Sequence, residues 1–207
     1  MRLFKGLFAV AVAMALSLGA VSAKAGTIIV TFQGTAPSGP NTQFFYDAVL
    51  AQGVAPTQVQ TGDFFTIYDF QGYTGSHAEP AGWTLTAQNV GVTPTGLLVP
   101  DAPTIVNLTW TYSGPTINSV AILGSVGTAN PFTATSSIST INPNGFYSMM
   151  DQAEIISGPG TGTFQDEKQF ANTSVPAAVP VPASAWSGLL LLAGLAAWRR
   201  NAKVKQA

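Results

Sequence analysis

An all-β fold, an antiparallel β-sandwich of jelly-roll or immunoglobulin-like type, is what this 207-residue sequence predicts for its body. Three observations carry that prediction. Several segments alternate apolar and polar residues with a period of two, the mark of a half-buried strand. Clusters of Gly, Pro, Asn and Ser stand between them as turns. No stretch of the body sustains a helical period, so short strands separated by turns favour a sandwich over a helix-bearing fold.

The elements follow in order. Thr27 to Phe32 places Ile28, Val30 and Phe32 on one face. Gln43 to Gln52 (QFFYDAVLAQ) is the one candidate for a short helix, although its aromatics suit a strand equally well. Phe64 to Phe70 (FFTIYDF) is apolar on both faces, as a central strand covered on each side requires. Trp83, Leu85 and Ala87 alternate with Thr84, Thr86 and Gln88. In Thr104 to Tyr112, Val106, Leu108, Trp110 and Tyr112 point one way while Asn107, Thr109 and Thr111 point the other. Ile117 to Val126 and Phe132 to Ile141 add further strands. Turn chemistry is supplied by Pro37-Ser38-Gly39-Pro40, Gly72-Tyr73-Thr74-Gly75, Pro94-Thr95-Gly96, Ser113-Gly114-Pro115, Asn142-Pro143-Asn144-Gly145 and Gly158-Pro159-Gly160.

Charge is scarce and segregated. Only 8% of residues are charged, against roughly a quarter in an ordinary globular chain. Arg2, Lys5 and Lys24 lie at the front, and Arg199, Arg200, Lys203 and Lys205 lie at the back. Between them Lys168 faces all nine acidic residues, so the body carries 1 − 9 = −8. Nucleic-acid binding needs Lys and Arg against phosphates, which excludes nucleic acid as a partner. The chain has no cysteine, which removes thiol chemistry, Cys-based zinc sites and disulfides. A body of this size can rely on its hydrophobic core instead.

The front reads as a secretory signal peptide over residues 1–25. Arg2 and Lys5 form a positive start, and Leu7 to Leu18 supply an apolar run within the roughly 7–15 residues expected. Ala23-Lys24-Ala25 offers the small-x-small pattern of signal peptidase, which places cleavage after Ala25 and makes Gly26 the first mature residue. The β-sandwich is expected over 26–172, outside the cytoplasm.

At the back, residues 173–182 are rich in Pro, Ala and Val. Pro176, Pro180 and Pro182 exclude a helix interior there and favour an extended linker. Ala183 to Trp198 follows without a charge, and Arg199-Arg200 stop it. Sixteen helical residues rise about 24 Å, short of the ~30 Å hydrocarbon core, so the segment predicts a short transmembrane helix. Trp186 and Trp198 suit the two membrane interfaces, and the basic residues of 199–207 form a cytoplasmic tail by the positive-inside rule.

The order Val179-Pro180-Val181-Pro182, Ala183, apolar run, Arg pair resembles the PEP-CTERM sorting signal of Gram-negative bacteria. The resemblance covers about the last thirty residues. It implies recognition by an exosortase-type membrane transpeptidase, transient attachment to the inner membrane, and delivery to the cell surface or extracellular matrix in association with exopolysaccharide or biofilm. The tail departs from the family pattern at Val181, which stands where the family has glutamate. An ordinary single-pass anchor is the plainer alternative.

The body offers little catalytic material, and the reading is non-catalytic, without cofactor or metal. His77, the single histidine, lies in Gly75-Ser76-His77-Ala78-Glu79-Pro80, read as a solvated loop; no serine has the setting of a nucleophile elbow. Asp63, Asp69 and Glu79 lie near one another in sequence and are the candidates for calcium. A carbohydrate-binding module, using rings such as Tyr68, Tyr73, Trp83, Trp110 and Tyr112, is the alternative function, although period-two aromatics usually face inward. A secreted hydrolase working through two carboxylates comes third. Asn107-Leu108-Thr109 and Asn172-Thr173-Ser174 fit the glycosylation sequon by chance.

Overall fold

The computed structural model describes residues 27–118, 120–127 and 130–177. Twelve strands and no helix occur among them: β1 (Thr27–Ser38), β2 (Asn41–Ala51), β3 (Thr57–Val59), β4 (Phe64–Ile67), β5 (Tyr73–Ala78), β6 (Trp83–Gln88), β7 (Asn107–Tyr112), β8 (Ile117–Asn118), β9 (Ala121–Gly124), β10 (Phe132–Ser136), β11 (Ile141–Glu154) and β12 (Phe164–Pro176). A five-stranded sheet runs β1-β2-β10-β5, with β9 also paired to β2. A seven-stranded sheet runs β6-β7-β4-β11-β3-β8, with β12 on β11. Both sheets are antiparallel, as the sandwich prediction requires.

Alternation makes the core. From the first sheet, Ile28, Val30, Phe44, Tyr46, Leu50 and Phe132 turn inward. Phe65, Ile67, Leu108, Trp110, Tyr147 and Met149 meet them from the second. Phe65 stands at the centre, with ring centroids 4.9 Å from Phe132, 5.1 Å from Trp110 and 5.6 Å from Trp83. Stacked, tilted and edge-on ring pairs of this kind add about 0.5–1.5 kcal/mol each beyond area burial. The Tyr46 hydroxyl donates to the Ser174 carbonyl at 2.9 Å, tying the first sheet to β12.

The central-strand reading of Phe64–Phe70 holds: β4 is buried on both faces, between β7 and β11. Its second face is covered by the segment 89–106. Thr66 donates to the Val92 carbonyl at 2.7 Å, and the Tyr68 hydroxyl lies 2.6 Å from Thr93 Oγ1 and 2.8 Å from Ser148 Oγ. The same segment explains why Asn107 and Thr109, on the polar side of β7, are buried rather than solvated.

Four local expectations are corrected. Residues 43–52 form no helix; all but Gln52 lie in β2, whose Phe44, Tyr46, Ala48 and Leu50 turn inward at period two while the strand pairs on both sides. Asn142-Pro143-Asn144-Gly145 is no turn but a bulge inside β11, where Asn142 and Gly145 face Val175 and Thr173, leaving one extra residue on the β11 side. The bulge accommodates Pro143, which has no N–H to offer a ladder. Gly145 is required there, since a Cβ would lie 2.6 Å from Val175 Cγ2. Gly75 to Ala78 belong to strand β5 instead of a loop. Finally, residues 173–176, expected as part of a linker, complete β12, with Thr173 and Val175 buried.

Candidate functional site

The residues expected to govern export and sorting, Ala23, Ala25 and Gly26 at the front and Val179, Pro180, Val181, Pro182, Ala183, Trp186, Trp198, Arg199 and Arg200 at the back, lie outside the described residues, as does the apolar run 183–198. The fold they flank begins with β1 at Thr27 and ends with β12 at Pro176.

Within the fold, chemistry-bearing side chains gather at three places. The first is β5, where Tyr73 and His77, four apart on a strand, share a face. Tyr73 Oη lies 2.7 Å from His77 Nδ1, and His77 Nε2 lies 3.7 Å from Glu79 Oε2. A Tyr–His–carboxylate row has the form of a proton relay. However, burial and the Glu79 charge both push the Tyr73 phenol above its usual range, so it stays neutral and acts as a hydrogen-bonding group rather than a nucleophile. The relay thus serves to pin side chains along a sheet edge. Sequence reasoning missed the pair because Gly75 and Pro80 made the segment look like a loop; the spacing of Tyr73 and His77 was the available signal.

The second place is the start of β4 against β11 and β12. Asp63 accepts from the Gln60 amide at 2.8 Å and from Gln152 Nε2 at 3.2 Å, and Gln152 also donates to Asp166 at 3.1 Å. Asp151 is fully buried on the same side of β11 as Tyr147 and Met149, and neither of its carboxylate oxygens has a hydrogen-bond partner. Burial first, then the charges of Asp63 and Glu167, push it up to about 8. Asp151 is therefore a neutral acid through most of the physiological range.

The third is the anchor of segment 89–106. Asn107 Oδ1 accepts from the Asp69 amide at 2.7 Å, while its Nδ2 donates to Asp101 Oδ1 at 2.9 Å and to the Asn89 carbonyl at 3.1 Å. Asp69 sits at φ 55° and accepts from the Ala102 amide at 2.9 Å. Burial raises its carboxyl, with Asp101 adding to the effect. Every polar atom of this cluster that the bonds name is engaged in holding chain to chain.

The expected calcium candidates do not converge: Asp63, Asp69 and Glu79 belong to these three separate places. Among the described residues no group of three or more His, Asp or Glu side chains is arranged to hold a metal ion. Of the five rings considered for sugar binding, Tyr68, Trp83, Trp110 and Tyr112 are buried and only Tyr73 is half-buried. Asn107 of the first sequon is buried, whereas Asn172 of the second is exposed. Compared with known protein families, curated proteins and solved structures, the chain matches none.

Proposed function

We propose that the chain is an exported bacterial surface or extracellular-matrix protein with a non-catalytic structural role beside exopolysaccharide or in biofilm. Its body is a jelly-roll or immunoglobulin-like sandwich, and an exosortase-type membrane enzyme sorts it through its C-terminal segment after signal peptidase has removed the front. The observation that carries this reading is the fixed order of Val179-Pro180-Val181-Pro182, the uncharged run from Ala183 to Trp198 and Arg199-Arg200, opposite a basic and apolar start.

The body is compatible with that role. Its core runs from Ile28 to Val175, between the two processing segments, so cutting on either side leaves the core residues in one piece. His77 is tied to Tyr73, Asp63, Asp69 and Asp101 serve in chain-to-chain bonds, and most of the rings that a sugar platform needs are spent on the core.

Mass spectrometry of the protein recovered from its host tests the reading. The mature chain is expected to start at Gly26 and to end near Pro182, in the surface or extracellular fraction. An intact 207-residue chain in the cytosol overturns the proposal. A cut front with an intact tail overturns sorting by cleavage and leaves a simple anchor.

A further inference from the structure

β1 is an edge strand of the five-stranded sheet, paired only with β2 among the described residues. Edge strands present unpaired N–H and C=O groups, and soluble proteins guard them with charges, prolines or short length. The other edges are guarded or short: β12 carries Asp166, Glu167 and Lys168, β5 carries His77, and β6 spans six residues whose outward Thr84 and Thr86 are polar. β1 is twelve residues long without a single charge, and Gly34 and Pro37 fall only in its second half, after the register shift that follows Phe32. Its first half, Thr27 to Phe32 (TIIVTF), is β-branched and free of charge, and Tyr147 reaches its backbone at Val30 from the core side.

A second observation lies on the outer face of the same sheet. Ile29 stands directly opposite Val49, and Val49 directly opposite Ile122, making one apolar row across three strands. Ile29 is 42% and Ile122 64% exposed. The row ends at the unpaired edge.

We propose that β1 pairs with β1 of a second copy of this chain, antiparallel and two-fold symmetric about Ile29, making one continuous sheet from two molecules. Directly opposed residues of an antiparallel pair lie on one face. Centring on Ile29 therefore keeps Ile28 opposite Val30 of the second copy on the core side and Thr27 opposite its Thr31 outside. It also joins the two apolar rows into one that runs from Ile122 through both Ile29 residues to the other Ile122. The occupant follows from self-complementarity: about Ile29, Thr27 meets Thr31, Ile28 meets Val30 and Ile29 meets its own copy, and the strip carries no charge where two bodies of −8 would otherwise repel. The nearest carboxylate, Asp47 opposite Thr31, is engaged by the Ser125 hydroxyl at 2.9 Å and the Val126 amide at 2.7 Å. The contact is isologous and closes at the dimer. It does not depend on how the tail is processed.

With no cysteine in the chain, an introduced one reports self-contact without background. In the full chain, expressed with both terminal segments in a bacterial envelope and mildly oxidised, Ile29→Cys is expected to form a disulfide dimer on a non-reducing gel. Thr31→Cys, whose opposite number is Thr27, and Ser76→Cys on the β5 edge are expected to form several-fold less. Equal cross-linking of all three, or none by Ile29→Cys, overturns the proposal. Sedimentation of the recovered protein gives an independent readout. The wild type is expected as a dimer, and Ile29→Lys, which sets two ammonium groups face to face, as a monomer with an unchanged β-type circular dichroism spectrum. A wild-type monomer, or a dimer indifferent to Ile29→Lys, overturns it as well.

Discussion

At position 151 a carboxyl group shares its side of a strand with Tyr147 and Met149, has no hydrogen-bond partner and faces the charges of Asp63 and Glu167. Its folded pKa of about 8 lies above the unfolded value of 3.8, so the native state holds the proton more tightly. The stability this group permits is fully present below about pH 4, falls by about 1.4 kcal/mol per pH unit as the unfolded chain ionises, and is lost as pH passes through about 8. Asp151→Asn removes the ionisation with little change of shape. Urea unfolding at several pH values between 4 and 8 should show the wild type weakening as pH rises and the variant much less so. At pH 8 Asp151→Asn is expected to be the more stable by about 2–4 kcal/mol, since relaxation around the site recovers part of the full penalty. Equal slopes for the two proteins would contradict the assignment. At Tyr73 the stakes are smaller. Tyr73→Phe removes one partly exposed hydrogen bond to His77 and should cost no more than about 1 kcal/mol in the same assay. No local pattern announces Asp151 as buried. Asp151 and Gln152 read as an ordinary polar pair until the neighbouring strands and the opposite sheet close over them.

Elements were legible where one physical effect dominated. Alternation in Leu108, Trp110 and Tyr112 and the doubly apolar FFTIYDF both gave strands in the places they occupy, because burial on a pleated surface writes itself into a period of two. Misreadings arose where local chemistry pointed away from tertiary pairing. The Asn-Pro-Asn-Gly run at 142–145 has every residue of a turn, yet pairing of β11 with the long β12 on both sides of it absorbs the run as a bulge. Alternation alone gives the polar face of β7 no cover, and only the packing of segment 89–106 reveals it as a buried anchor. Asn107 holds that segment through Asp69, Asp101 and Asn89. Asn107→Ala leaves the Asp69 amide and the Asp101 carboxylate without this partner and is expected to cost about 2–4 kcal/mol. Hydrogen exchange should then rise across Gly91 to Ala102 and remain low in β4 and β10. Uniform protection throughout would show that the segment is held by its other bonds to Thr66 and Tyr68.

Across the described residues, the first and last strands lie in different sheets, and Tyr46 reaches from β2, the neighbour of β1, to the backbone of β12. The buried cluster takes residues from β1 through β12. A body of about 150 residues buries roughly 68–70% of its unfolded surface, enough for a core to sustain itself. The polar periphery adds little: two ion pairs, His77–Glu79 and Lys168–Asp166, occur among the described residues, against a net charge of −8. Cohesion therefore rests on the inter-sheet aromatics around Phe65 and on the strand ladders, all of which lie within residues 27–177. A polypeptide of residues 27–177 is accordingly expected to fold alone and to unfold in one cooperative step. Its near-ultraviolet circular dichroism then comes from Trp83 and Trp110 without interference from Trp186 and Trp198. Coincident urea transitions in the near- and far-ultraviolet would show that the ladders and the aromatic core fail together. In that background Phe132→Ala, which deletes the ring that meets Phe65, Trp83 and Trp110 at 4.9, 5.3 and 5.8 Å, is expected to cost about 3–5 kcal/mol. A fragment that shows strand signal but no fixed tryptophan environment would mean that the terminal segments supply packing the core itself lacks.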